Sequence, residues 1–189
     1  MTDPVDDETL MLRYVAGDAG AFDVLYQRHK GRMFRFCLRL CGDRGRAEEV
    51  FQDAWLNLIQ SRDRYQVEAR FTTFLYQIAR NRMIDVLRRD GRVAFSLDDE
   101  IGEAMAGTLR ADGEWDPDRV FERKSDAERV VAALDALPPA QREAFLLHEE
   151  GEMTLEEIGA LTGVGRETAK SRVRYALQRL RDVLGRGRE

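Results

Sequence analysis

Apolar residues recur at spacings of three and four through roughly the first ninety positions, which is the period of a helix with one buried face. The pattern predicts three consecutive helices with breaks at Gly17 and Gly42. A polar loop at 61–70 follows, and Thr72 or Thr73 is expected to cap a fourth helix. Because each helix has a single apolar face, the four can share one core.

The helical pattern is interrupted between residues 91 and 117, where four glycines and an acidic run leave little periodicity. This composition is typical of a flexible linker. A second set of helical patterns begins near Asp118 and is broken at Pro138 and Pro139. No run of alternating β-branched residues indicates a sheet. The predicted fold is therefore all-α and consists of two small helical domains and a flexible acidic tether: a first domain at 1–92, a linker at 93–122 and a second domain at 123–185.

The net charge of −5 argues against a protein that coats nucleic acid indiscriminately. The charges are nevertheless segregated along the chain. Residues 166–188 carry eight cations against two carboxylates, so the basic groups are concentrated at the end of the chain. Residues 96–118 hold one arginine and eight carboxylates: Asp98, Asp99, Glu100, Glu103, Asp112, Glu114, Asp116 and Asp118.

The basic end coincides with a helix-turn-helix signature. Thr154 and Glu157 form a Thr-x-x-Glu capping box that fixes the start of one helix, and Gly163 can adopt the positive φ of a tight turn. A second helix with an apolar inner stripe follows. The competing interpretation is a surface helix with solvated charges. The pattern favours a helix that reads duplex DNA in the major groove, through four residues near its amino-terminal end: Arg166, Lys170, Ser171 and Arg174.

The predicted fourth helix is a second candidate nucleic-acid site, because basic groups on its outer side stand near aromatic rings. Phosphates bind arginine, and unstacked bases bind aromatic faces and amide edges, so the pattern suits single-stranded nucleic acid. Asn81 is of particular interest because its amide both donates and accepts hydrogen bonds. The alternative is a set of core aromatics beside a solvated basic face. The candidate residues are Asn81, Tyr65, Phe71, Arg80, Asp85, Arg88 and Arg89.

Other functional classes find little support. The chain has no Ser/His/Asp or Cys/His set and no glycine-rich phosphate loop, so we do not expect an enzyme or a bound cofactor. Cys37 and Cys41 are interpreted as buried thiols, and a redox pair or a metal-binding pair is the alternative. The acidic start lacks the features of a signal peptide, and no apolar run is long enough to cross a membrane, so a cytoplasmic protein is expected.

Four segments of the chain are similar to a known family. They are "GDAGAFDVLYQRH", "AEEVFQDAWLNL", "FTTFLYQIARNRMIDVLRR" and "ALPPAQREAFLLHEEGEMTLEEIGALTGVGRETAKSRVRYALQRLR". In this order, and separated by a polar linker, they resemble the extracytoplasmic-function (ECF) group of bacterial RNA polymerase sigma factors, group 4 of the sigma-70 family. The resemblance covers nearly the whole chain.

The resemblance implies a promoter-specificity subunit that binds the β′ clamp helices and the β subunit of core RNA polymerase. It assigns the clamp contact to Glu49, Gln52 and Asp53. It places Asn81 and the loop at 61–71 around a flipped base of the minus-10 element, and the second domain on the minus-35 element. It also implies an anti-sigma factor as a partner. The remaining alternative is a stand-alone helix-turn-helix regulator, which would leave the first domain unexplained.

Overall fold

The computed structural model describes residues 5–66, 69–89 and 126–185. Within these ranges the chain is helical and contains no strand, which confirms the predicted fold class. The domain boundaries stay a prediction, and the linker with its eight carboxylates lies outside the described residues. The helices are α1 (Asp7–Val15), α2 (Ala19–Cys41), α3 (Arg44–Gln60), α4 (Phe71–Arg89), α5 (Asp126–Asp135), α6 (Pro139–Glu149), α7 (Leu155–Thr162) and α8 (Arg166–Gly185), with a 3₁₀ turn at Arg62–Arg64.

The first three helices begin and end at the residue types that the sequence suggests. An aspartate at the N-cap of each accepts a hydrogen bond from a backbone amide in the first turn. Gly17 and Gly42 adopt left-handed backbone angles with φ of 102° and 66°, which confirms the predicted breaks. The aspartate caps are Asp6, Asp18 and Asp43.

The start of α4 differs from the prediction. The helix begins at Phe71, so the expected cap at Thr72 or Thr73 is wrong. The backbone amide of Phe71 instead donates to the Glu8 carboxylate of α1 at 2.9 Å. This carboxylate is distant in sequence, and it supplies the negative charge that the amino end of a helix favours.

Helices α1 to α4 form the first domain around one hydrophobic core. Helix α3 packs between α2 and α4, and α1 lies against α2. Both cysteines are buried in this core and are unbonded. Burial also raises the pKa of the Cys41 thiol to about 11. The largest fully buried side chains of this domain include Met11, Leu25, Met33, Phe36, Leu58, Leu75 and Met83.

Helices α5 to α8 form the second domain, in which α8 packs against the other three. The capping box is present: Thr154 Oγ1 accepts from the Glu157 amide, and the Glu157 carboxylate accepts from the Thr154 amide. Gly163 ends α7 with φ of 79°, as predicted. Helices α7 and α8 are therefore joined by the tight turn of a helix-turn-helix.

The two domains contact one another. Helix α6 packs against α2, and Leu147 and Met153 of the second domain belong to the same hydrophobic cluster as Phe36 and Leu75 of the first. This contact was not predicted from the sequence. Among the described helices, none combines the length and apolar character that a membrane span requires.

Candidate nucleic-acid and partner interfaces

Helix α3 presents a polar face with one large apolar residue on it. Glu49, Gln52 and Leu56 are exposed and lie on the same side, since they are spaced by three and four. Asp53 is half-buried beside them. Leu56 is 52% exposed and was missed by sequence reasoning. The sequence does contain a signal for an exposed apolar contact, because an apolar residue stands four positions after Gln52 on a helix face that is otherwise polar.

Two of the three predicted clamp residues are held by arginines of α4. Arg82 donates to Asp53 Oδ2 at 2.6 Å and to Glu49 Oε1 at 2.9 Å. Arg89, predicted as a DNA contact, donates to the same Glu49 oxygen at 2.9 Å. The carboxylates on the α3 face are therefore fixed in position by α4, and Arg82 is a further residue that sequence reasoning missed.

A polar cleft between the end of α3 and the middle of α4 brings Asn81 and Asp85 together. Both side chains are exposed, and the cleft encloses about 460 Å³. Amide, carboxylate and guanidinium groups in one cleft can both donate to and accept from the edge of a base. Of the seven candidate residues named for the predicted fourth helix and its surroundings, Asn81 and Asp85 line the cleft, and Ser61 and Arg64 of the loop at 61–71 line it as well. The complete lining is Asn57, Gln60, Ser61, Arg64, Ile78, Asn81, Arg82 and Asp85.

The two predicted aromatic contacts do not present their rings to solvent, so the expectation that Tyr65 and Phe71 offer stacking faces is wrong. Phe71 is completely buried, with its ring centroid 5.1 Å from that of His29. Tyr65 is buried against Phe74, and its hydroxyl donates to the Ala69 carbonyl at 2.7 Å. The Phe71 ring packs in the core because α4 begins two or three residues earlier than expected, which sets Phe71 beside Glu8 of α1 and His29 of α2.

The expected outward position of Arg80 is also wrong. Arg80 is 7% exposed and donates through Nε to Glu143 of α6 at 2.8 Å, and Glu143 is 2% exposed. The outer side of α4 is therefore covered by the second domain at this position. Arg88 and Arg89 are exposed, as expected.

The outer face of α8 is accessible. Arg166, Lys170 and Arg174 are exposed, and Ser171 is half-buried. This arrangement matches the predicted cationic face near the start of the helix. The carboxylate of Glu167 partly neutralises that positive charge, because it contacts Arg166 at 2.8 Å and Lys170 at 3.5 Å.

The contact between the domains pairs carboxylates with arginines. We call the carboxylates the acidic edge: Glu143, Glu150, Glu152 and Glu157. We call the arginines the arginine face: Arg32, Arg35, Arg70 and Arg80. Each arginine contacts at least one of the four carboxylates.

The geometry of this contact is specific. Arg35 donates to both Glu150 oxygens at 2.8 Å, and Tyr76 donates its hydroxyl hydrogen to the Glu150 carbonyl at 2.7 Å. Thr73 donates to Glu157 at 2.7 Å. Partial burial raises the pKa of Glu157, but hydrogen bonds from Thr154 and Thr73 outweigh that effect and leave the pKa below its ordinary value.

Both domains match known families. Residues 25–93 match sigma-70 region 2, and residues 133–182 match sigma-70 region 4. The first match contains the α3 face and the polar cleft, and the second contains the helix-turn-helix.

Relatives match over nearly the whole chain. The RNA polymerase sigma factor CarQ of Myxococcus xanthus is 34% identical over 93% of this chain and 95% of its own. The ECF RNA polymerase sigma factor SigE of Mycolicibacterium smegmatis is 30% identical over 97% of this chain and 71% of its own. The ECF sigma factor RpoE of Cereibacter sphaeroides is 32% identical over 96% of this chain and 98% of its own.

Two solved structures have the same fold. The sigma factor RpoE of Bartonella quintana, in complex with the anti-sigma factor NepR, has a TM-score of 0.64 and 22% identity, and the match covers 87% of this chain and 96% of that one. CnrH in complex with the cytosolic domain of CnrY has a TM-score of 0.63 and 21% identity, with 95% of this chain and 97% of that one covered. On the strength of its full-length relatives and of both matched regions, this chain belongs to the ECF RNA polymerase sigma factors, which direct RNA polymerase to promoters.

Proposed function

We propose that this sigma factor divides promoter recognition among three surfaces. The exposed α3 face binds the β′ clamp helices, the polar cleft holds a base of the melted minus-10 element, and the outer face of α8 reads the minus-35 duplex. The observation that carries the proposal is the cleft that gathers Asn81 and Asp85 beside the α3 face. In this arrangement a base held in the cleft would lie next to the bound polymerase.

The clamp contact is centred on Gln52, with Glu49 and Asp53 held beside it by Arg82. Exposed polar groups on a helix can equally be solvated without a partner. The double change Gln52→Ala and Asp53→Ala is expected to weaken core binding, since each lost hydrogen bond to a charged group costs about 1.5–3 kcal/mol. An unchanged affinity in a titration with core polymerase would contradict this assignment.

The two DNA-reading roles are separable by experiment. Asn81→Ala should impair melting while duplex binding is kept, because a flipped base exists only after the strands separate. Lys170→Ala should weaken minus-35 binding. It should also reduce the slope of the logarithm of the binding constant against the logarithm of the salt concentration by about 1, as expected for the loss of one phosphate contact. Permanganate footprinting of reconstituted polymerase distinguishes the two variants. Equal melting defects in both would count against this division.

We propose an anti-sigma factor as a further partner, because a solved sigma factor of the same fold is in complex with the anti-sigma factor NepR, and another, CnrH, is in complex with the cytosolic domain of CnrY. The proposal places the protein in the cytoplasm, where core polymerase resides, and assigns it no catalytic group of its own. The experiment that tests the whole function is transcription by purified core polymerase supplemented with this protein, followed by sequencing of the transcript starts. Starts at specific promoters are expected, and a core enzyme unaffected by the addition would overturn the proposal.

A further inference from the structure

We propose that the arginine face of the first domain is a docking site for the acidic edge of the second domain, and that the closed chain withholds Arg80 from DNA. The second half of this inference rests on the proposed function and on the prediction from the sequence that Arg80 contacts single-stranded nucleic acid. In the free protein the occupant of the site is the second domain of the same chain. Polymerase and promoter DNA must displace the acidic edge before Arg80 becomes available.

Complementary charges on the two surfaces support the docking of the second domain on the first. The four arginines come from α2, α4 and the segment before α4, and the four carboxylates come from α6, α7 and the loop between them. A guanidinium fork on both oxygens of one carboxylate, as between Arg35 and Glu150, is the geometry that gives an arginine contact direction as well as charge. The hydrogen bond to Glu150 raises the pKa of Arg35, because it favours the charged form of the guanidinium.

The loop between α6 and α7 carries independent evidence that the docked position is specific. Glu152 has φ of 50°, a left-handed conformation that a non-glycine residue rarely adopts. Such a backbone conformation persists where the surrounding structure holds the residue in place. Both ends of Glu152 contact the first domain: its carboxylate pairs with Arg32, and its carbonyl accepts from Arg70 at 2.8 Å.

Arg80 links docking to DNA binding. Its guanidinium is almost completely buried and is paired with Glu143, which is itself buried. A buried charge requires its partner, so Arg80 and Glu143 stay together while the domains remain docked. A DNA phosphate would need the same guanidinium, and the two anions therefore compete for one site.

The closed chain leaves the minus-35 surface accessible. Arg166, Lys170 and Arg174 are exposed on α8 while Arg80 is covered. The closed form is therefore expected to retain its contact with duplex DNA and to bind single-stranded DNA poorly.

Charge reversal tests docking without reference to DNA. Glu150→Arg places an arginine against Arg35, and Arg35→Glu places two carboxylates together. The combined variant restores the pair with the charges exchanged. Glu149→Arg is the matched control, because Glu149 is an exposed neighbour whose carboxylate contacts His148.

Small-angle X-ray scattering of the free full-length chain is expected to show a larger radius of gyration for Glu150→Arg and for Arg35→Glu. The combined variant and Glu149→Arg should scatter as the wild type does. Circular dichroism confirms that helix content is equal in all variants. Identical scattering from the wild type and both single variants would overturn the docking proposal.

Binding of a fluorescein-labelled, mixed-sequence single-stranded DNA oligonucleotide tests the consequence. If closure leaves only a minor open population, Glu150→Arg should bind roughly tenfold more tightly than Glu149→Arg, which carries the same net charge. Equal affinities would overturn the claim that closure covers a DNA contact. Arg80→Gln in reconstituted polymerase tests the role of Arg80 in DNA binding by itself. Normal promoter melting by this variant would show that Arg80 has no such role and would overturn the claim that closure covers a DNA contact. The scattering result for docking would be unaffected.

Discussion

At the scale of single residues, the helix-turn-helix depends on a glycine that the sequence analysis did not single out. A Cβ atom built on Gly159 would lie 2.8 Å from the Val164 carbonyl oxygen, because α7 packs directly against the turn into α8. This distance is too short for a side chain, and the opposing atom belongs to the backbone. A glycine at this position therefore permits the close approach of the two helices.

We expect Gly159→Ala to lower the free energy of unfolding by about 1–3 kcal/mol, the usual cost of forcing extra atoms into a packed site. Gly165→Ala is the matched control, because a Cβ at Gly165 meets no atom within 4 Å. Chemical denaturation of both variants measures the difference. If Gly159→Ala were as stable as Gly165→Ala, the close approach would not be limiting.

Leu56 provides a second test at this scale. Its exposed side chain lies one turn beyond Gln52, where docking of the clamp helices would cover it. Leu56→Ala is expected to weaken core binding by about 1 kcal/mol, as for an apolar side chain that is half buried on association. The fold should be unaffected. Leu12→Ala, on the exposed side of α1, is the control and should leave core affinity unchanged.

At the scale of elements, α3 and α4 are tied by the fork of Arg82. We expect Arg82→Ala to lower both the free energy of unfolding, by about 1–2 kcal/mol, and the affinity for core polymerase, because Glu49 and Asp53 lose their fixed positions. Gln52→Ala should lower core affinity alone. Urea denaturation and a core titration of both variants separate the two effects, and an Arg82→Ala protein of normal stability would show that the fork contributes nothing.

Helices α1 and α2 are joined through Asp7, which accepts from Arg28 at 2.7 Å and lies 2.6 Å from His29 Nε2. Burial raises the pKa of Asp7, but the bonds to His29 and Arg28 outweigh it and lower the pKa overall. A carboxyl group whose pKa is lower in the folded chain than in the unfolded chain stabilises the folded state. This contribution is complete at pH values above the pKa of the unfolded chain. That contribution disappears as the pH falls from about 4 through the folded pKa.

The stability of the wild type should therefore drop more steeply below about pH 4 than that of Asp7→Asn. Asp23→Asn, an exposed carboxylate of α2, serves as the control and should follow the wild type. Thermal unfolding between pH 7 and pH 3 measures all three. Parallel curves for the wild type and Asp7→Asn would show that the α1–α2 pairing does not contribute to acid sensitivity.

At the scale of the whole molecule, the core that the two domains share predicts that they unfold as one cooperative unit. Calorimetry of the wild type is expected to show a single transition, since buried residues of α6, α7 and α8 belong to the same cluster as the core of the first domain, while a smaller cluster joins α5 to the end of α8. Glu150→Arg should resolve two transitions, and Glu149→Arg should not. Two transitions in the wild type would mean that the domains unfold independently.

The sequence predicted the helices and most of their ends, because caps and apolar spacing are local signals. It failed where a partner lies far along the chain. Helix α4 is buried on two sides, against its own domain and, at Tyr76 and Arg80, against the second. Local periodicity shows that a side is polar, but it cannot show that the polar side is covered. For this reason Arg80 was expected to be exposed, and Phe71 and Tyr65 were expected to stack on bases.

The carboxylate of Glu8 at the start of α4 has a practical consequence for work with this protein. An affinity tag or a truncation that disturbs α1 would remove the group that satisfies the first amide of the helix carrying Asn81. On the proposed role of Asn81, the damage would then appear as a defect in promoter melting, although the altered residues lie more than sixty positions upstream. For transcription assays, an affinity tag is therefore better placed at the carboxyl end of the chain.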